Sequence, residues 1–363
     1  VLATNEHQGM IAYLVIMGVF ALLAVLSPRK KPDRLMWALA FLVLVVFVGL
    51  RHKVGMDWNN YLLMIARVSD VPLLQAFSVA EPSYALLLWL SDRAGTGIYG
   101  VNLVGSAILM LGVFRFSRRT PLPWVALAAS LPILVVVVGM SANRQAMAIG
   151  VLMWLVAGWQ EYSLKKRVAF TLLAASFHFS AIFFLMFSVL GLNMKNTYKL
   201  ALASVMVFLM VLFLQLTGGA EYYGEVYVSG QSEATASTGA IIHVLLNGLP
   251  ALLVFMRRPL RERVFPTTLM IQMACVALFL VPMALIFPTA SGRMTLYLFP
   301  VSMYVFSALP LLLPSAVQRA AVRTMSAALL TGILWYWLSF ANSSVAHIPY
   351  NNVVWLDARE LHR

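Results

Sequence analysis

The chain has 363 residues, of which 61% are apolar and only 11% charged, with a mean hydropathy of +0.86. Soluble domains carry roughly 25% charged residues, so a water-soluble fold is excluded and lipid is the expected solvent. The net charge of +13 would suggest nucleic acid in a soluble protein, but no basic segment with interleaved aromatics supports such a partner, and none is expected.

Apolar runs of about 17–25 residues can span a bilayer. In chain order they fall at 9–26, 35–50, 98–114, 123–139, 145–159, 200–217, 240–256, 264–287, 294–313 and 324–340. They predict an all-α, polytopic transmembrane bundle of about ten full spans, one integral membrane domain over 1–363. The first run ends in Ser27-Pro28-Arg29-Lys30-Lys31 rather than a small-residue cleavage site, which predicts a retained anchor. The lone Cys275 sits in an apolar run and forms no intrachain disulfide.

Charge gives the orientation. Short loops at 27–34, 115–122, 160–167, 191–199, 257–263 and 314–323 hold 18 of the 26 Lys and Arg but only three of the 13 Asp and Glu. Loops of that kind stay in the cytoplasm. The opposite face, left with a net −2, then carries loops near 51–82, 140–146, 218–239 and 288–293 and the tail 341–363.

One stretch breaks this alternation. Read as a single span, 167–195 would place Arg257, Arg258 and Arg261 outside. Parity returns if the chain enters at Val168, turns at His178 and returns through Ala181 to Leu192. Arms of about ten residues give roughly 15 Å of helix, half of the ~30 Å hydrocarbon core. The prediction is a re-entrant helical pair or a locally thinned region, shielded by protein, with His178 in a cavity open to the outer side. A weaker short segment at 84–90 is also expected to dip into the membrane.

An arginine in hydrocarbon costs on the order of 2.5–3.5 kcal/mol, so the outer-side arginines need reasons. Arg51 opens R-x-x-V-G-x-D-W-x-x-Y, which ends at Tyr61; Arg144 lies in Ser141-Ala142-Asn143-Arg144-Gln145; Arg293 follows Ser291-Gly292, with Tyr297 one helical turn on. Each could simply snorkel to headgroups. Three of them beside Gly, Asn, Gln or Ser instead suggest a phosphate or diphosphate site, for which guanidinium is suited. Asp57 and Glu81, the latter before Pro82-Ser83-Tyr84, are candidate acid–base groups, although each could equally be a helix N-cap or an arginine partner. His178 is the sharpest single candidate because charge parity places an ionisable residue inside the membrane; His243, Tyr61, Tyr84, Gln145 and Tyr297 are supporting candidates. No D-x-D, H-E-x-x-H, Cys/His cluster, P-loop or G-x-S-x-G occurs, so neither a metal nor another cofactor is expected.

The segments Arg51–Tyr61, Glu81-Pro82-x-Tyr84-x-Leu86-Leu87, Asn143-Arg144-Gln145-x-x-Ala148 and Phe177-His178-x-Ser180-Ala181 occur in the order seen in EpsG/Wzy-type polysaccharide polymerases, which the first half of the chain resembles. The second half resembles them only in its apolar spans, Arg293 with Tyr297, and Pro349-Tyr350-Asn351; Met56 stands where the family often has Thr. The resemblance implies a GT-C-like glycosyltransferase of the bacterial inner membrane, polymerising O-antigen or exopolysaccharide on the periplasmic or outer face. A growing glycan would leave undecaprenyl diphosphate and join the non-reducing end of a lipid-linked repeat unit, without a metal. Arg144 and Arg293, assisted by Arg51, would grip the diphosphate, and Asp57 or His178 would act as base, with Glu81 in reserve. Partners would be the undecaprenyl-diphosphate-linked oligosaccharide, membrane lipids, a chain-length regulator and a flippase. The alternatives are a glycan ligase, a membrane O-acyltransferase, and a flippase or transporter, although no paired halves of a transporter are visible.

Overall fold

The structure, a computed structural model, describes residues 2–27, 32–191, 238–264, 268–285 and 288–356, with isolated positions between 194 and 205. Apart from positions 201 and 205, the span expected at 200–217 lies outside the described residues, as do residues 218–237 of the expected outer loop and the tail beyond 356. Among the described residues the chain is helical and contains no strand; its β-type pairing is an isolated antiparallel bridge between Arg51 and Asn352.

Among the described residues, three helices are long and apolar enough to cross a membrane: α1 (Leu2–Leu26, through its window Gly9–Leu26), α6 (Gly97–Ser117) and α7 (Pro123–Ser141). Apolar helices of 10–17 residues include α2 (Arg34–Gly49), α11 (Thr268–Met283) and part of α10 (Thr238–Met256). Apolar on every side, α7 is almost wholly buried, as such a helix must be. It packs against α1, α6, α13 (Pro300–Ala308) and α14 (Ala316–Phe340). Pro132 has no N–H to give the helical ladder, and over Leu131–Val138 the backbone widens into π-helix.

The helix that presents Arg144, α8 (Asn143–Ala157), is locked to α6 by glycines. A Cβ on Gly112 would strike the Gly150 backbone, and one on Gly150 would strike the backbone of Ile108 and Leu109, so the two helices approach at backbone contact.

Several expected loops turn out to be structured. The stretch 51–82 holds α3 (Trp58–Val68) and the single turn α4 (Leu73–Ala76), and leads into α5 (Pro82–Arg93). The connection expected at 140–146 shrinks to Ala142 (φ −96°, ψ 67°), so Arg144 and Gln145 lie in a first helical turn rather than a loop. Likewise 288–293 lies inside α12 (Pro288–Leu296). The span expected at 294–313 is broken into α12, α13 and a 3-10 segment Leu309–Leu312, with a proline in the first turn of each of the last two pieces.

A short helical pair does surround His178. Helix α9 (Leu164–Ala175) is followed by extended His178 (φ −154°, ψ 115°), a 3-10 segment Phe179–Phe184 that packs back on α9, and a last helical turn and a half, Leu185–Leu190. The tail folds back over α1 and α2: Tyr13 Oη donates to His347 O (2.7 Å), Tyr350 Oη to Phe47 O (2.7 Å) and Val353 N to Leu50 O (2.9 Å).

Candidate active site

Four helical segments begin around one point: α3 after Asp57, α5 after Glu81, α8 after Ala142 and the 3-10 segment after His178. None of these four cap residues accepts a side-chain hydrogen bond from the backbone N–H groups of its own helix. Elsewhere Asp33 before α2, Ser163 before α9 and Ser315 before α14 do cap their helices in the ordinary way. The first-turn N–H groups of a helix lack intrahelical partners and carry partial positive charge. Asp57 and Glu81 therefore sit in cap positions with their carboxylates turned to something else.

For Glu81 that something is Arg144 and His178. Arg144 Nη1 donates to Glu81 Oε2 at 2.8 Å, while His178 Nδ1 lies 3.1 Å from Oε1, to which Phe179 N also donates at 3.4 Å. The side chains grow less exposed along this row, from 28% at Arg144 through 14% at Glu81 to 7% at His178. Burial alone would raise the Glu81 carboxyl. The hydrogen bond from His178 and the charge of Arg144 outweigh it and hold the group down at about 2. Glu81 is an anion throughout the physiological range, and it fixes the imidazole through Nδ1.

Asp57 differs. Burial pushes its carboxyl above the ordinary value, although Arg293 and Arg144 pull the other way and Tyr61 and Asn60 supply hydrogen bonds. Tyr61 Oη reaches Asp57 Oδ2 at 3.4 Å. The five charged or titratable groups Asp57, Glu81, Arg144, His178 and Arg293 thus form one electrostatic cluster, with Arg293 exposed at its rim. Gln145 Nε2 donates to Arg293 O (3.0 Å) and Ser180 and Tyr297 share a hydroxyl–hydroxyl bond (2.7 Å), so α12 is tied to α8 and to the His178 segment. Ser83 N donates to Ser176 O (2.9 Å), which fastens the start of α5 to the end of α9.

Not every candidate joins the cluster. Arg51 is buried, and donates from Nε to Val54 O (3.1 Å), from Nη1 to Val48 O (2.7 Å) and from Nη2 to Asn102 Oδ1 (3.1 Å). Burial lowers its guanidinium to about 10, still charged at neutral pH, with Tyr61 and Tyr84 among its neighbours. It holds the loop from below. Tyr84 is fully buried beside Tyr61, ring centroids 5.8 Å apart. His243 is partly buried in α10; one turn on, Asn247 Nδ2 reaches Thr295 O (3.1 Å) in α12.

Other participants carry no sequence signal of chemistry. Asn102 Oδ1 accepts from both Arg51 and Asn143 Nδ2 (3.0 Å), which links the Arg51 loop to the start of α8. Ser141 Oγ accepts from Met56 N (3.1 Å) and meets His347 Nε2 (3.3 Å), so the tail buttresses the same loop. Gly55, at φ +109°, donates to Ala346 O (2.7 Å) and passes directly over the Met140 carbonyl. The spacing V-G-x-D is the one clue the sequence offers. Among the described residues no group of three or more His, Cys, Asp and Glu side chains is arranged around a common point as metal ligands would be.

The model of the EpsG family matches residues 34–352, a stretch that includes every group of this cluster. The chain belongs to the EpsG family. The match extends well past the first-half motifs and takes in Arg293, Tyr297 and the buttressing tail of this EpsG-family protein. No curated protein and no solved structure is similar enough to be matched to it.

Proposed function

We propose that this EpsG-family protein is a polysaccharide polymerase, a glycosyltransferase that moves a growing glycan from a polyprenyl diphosphate to a lipid-linked repeat unit on the outer face of a bacterial inner membrane. Family membership supports the polymerase class. The observation that carries the chemistry is the Glu81 carboxylate gripping Arg144 and His178 where four helical segments begin.

The reaction needs charge stabilised on the departing diphosphate. Arg144 and Arg293, with helix N-termini beside them, offer fixed positive potential there, a contribution of several kcal/mol in comparable sites. A hydroxyl of the acceptor sugar attacks the anomeric carbon of the donor glycan, the bond from that carbon to the diphosphate oxygen breaks, and the diphosphate leaves with its negative charge. The hydroxyl proton goes to His178 Nε2. That nitrogen is the acceptor when Nδ1 carries the proton shared with Glu81. Glu81 is thus a positioning residue, and Asp57 balances the arginines at the entrance.

The test is the glycan profile of a deletion strain complemented with Arg144→Ala. Accumulation of single lipid-linked units with no polymer is expected, whereas a normal chain-length ladder would overturn the proposal.

A further inference from the structure

The break between α12 and α13 has a cause in the sequence and two props in the fold. Pro300 has no N–H to give the Leu296 carbonyl. Phe299 N donates to Leu296 O at 3.3 Å, Leu298 N to Thr295 O at 2.9 Å and Tyr297 N to Met294 O at 3.2 Å, each three residues back rather than the four of an α-helix. The carbonyl before these, Arg293 O, accepts from Gln145 Nε2 of α8 at 3.0 Å. Thr295 O accepts a second bond, from Asn247 Nδ2 of α10 at 3.1 Å. Asn247 also reaches across the break, because Ser302 Oγ of α13 donates to its Oδ1 at 2.6 Å.

Both amides are buried, Gln145 at 4% exposure and Asn247 at 0%. A buried amide is costly unless it is hydrogen-bonded, and interrupted backbone in an apolar segment is tolerated only where protein satisfies it. What the two amides hold in common is the end of α12, the turn that carries Arg293. Arg144 and Gln145 are neighbours in the first turn of α8. One sends its guanidinium to Glu81 and the other sends its amide to the Arg293 backbone. The two arginines are thus mounted on a single helical turn.

We infer that Gln145 is a positioning residue for Arg293, with Asn247 stapling the two sides of the break, so that α8 sets the spacing between the two guanidinium groups. For the chemistry this rests on the function proposed above, in which both arginines hold one diphosphate. A fixed spacing orders them before the ligand arrives, and binding then costs less conformational freedom.

The first arm of the test needs no glycan synthesis. Full-length protein with Cys275→Ser and Arg293→Cys carries a spin label at position 293, where the side chain is exposed, in phosphatidylethanolamine/phosphatidylglycerol vesicles. Gln145→Met keeps the length of the side chain and removes its donor, and Asn247→Leu does the same at the other prop if Gln145→Met lowers the yield of folded protein. Either should mobilise the label and narrow its spectrum. An unchanged spectrum in the folded variants would overturn the inference. The second arm is a double-substitution cycle on polymer synthesis in proteoliposomes. Gln145→Met should slow it about 10–100-fold in the parent, but by no more than about twofold in an Arg293→Ala background, because it acts through that arginine. Equal losses in both backgrounds would mean a general packing role and would overturn the inference too. Should Arg293→Ala itself leave synthesis unchanged, the diphosphate site proposed above fails, while a mobilised label still supports the mounting of Arg293 on Gln145.

Discussion

Replacing Glu81 by Gln keeps size and removes charge, which isolates what the carboxylate does. A carboxyl held at about 2 rather than its ordinary 4.5 is worth roughly 3 kcal/mol of preference for the anion, at about 1.4 kcal/mol per unit. Part of this is lost to solvent screening because Arg144 is 28% exposed, so the expected destabilisation of Glu81→Gln is about 1–3 kcal/mol. The amide keeps one acceptor oxygen for two donors and turns its NH2 toward Arg144 or His178, so the imidazole loses its fixed tautomer. Polymerisation should fall by about 10²–10⁴-fold. The sign with pH follows from the depression: the carboxylate's contribution is complete above about 4.5 and is lost only as pH falls toward 2, so mild acid should not mimic the substitution. The assay is polymer yield in proteoliposomes beside thermal unfolding in detergent, with Glu81→Asp as the conservative comparison. Glu81→Gln with unchanged melting temperature and unchanged polymer would refute the reasoning.

Three further outcomes are expected. Arg51→Lys replaces a planar fork on three oxygens with a single ammonium, and should lower stability by about 3 kcal/mol as measured by thermal unfolding, with diphosphate affinity changed only through that loss. Gly55→Ala demands a left-handed backbone from alanine and sets its methyl against the Met140 carbonyl; it should cost at least about 2 kcal/mol, seen as reduced accumulation of folded protein. Asp57→Asn should reduce polymer yield by no more than about tenfold. It should also remove a titration on the acid side of the pH–rate profile, because the raised Asp57 carboxyl gains its proton before Glu81 does as pH falls. A profile identical to the parent's would exclude Asp57 from the active site.

Much of the cluster was legible in the sequence because polar residues in a lipid-soluble chain are rare and expensive. Arg144, Arg293, Asp57, Glu81 and His178 stand out against 61% apolar composition without any knowledge of the fold, and charge parity alone asked for a reversal at His178. Composition also determined that the chain is helical where it is described, because backbone groups in lipid must be satisfied within their own segment.

Partnership was a different matter. Glu81 stands 63 residues from Arg144 and 97 from His178, separations over which no local pattern operates, so its change from reserve candidate to the centre of the cluster came only with the packing of α5 against α6 and of α8 against α9. Arg51 shows the converse. Its motif resembles that of a ligand-facing arginine, yet Asn102 and the carbonyls of Val48 and Val54 surround it, because a tail some 300 residues away folds back to cover that loop. A sequence names the groups too costly to bury without a reason; which reason each one has depends on the partners that long-range packing brings within hydrogen-bond reach.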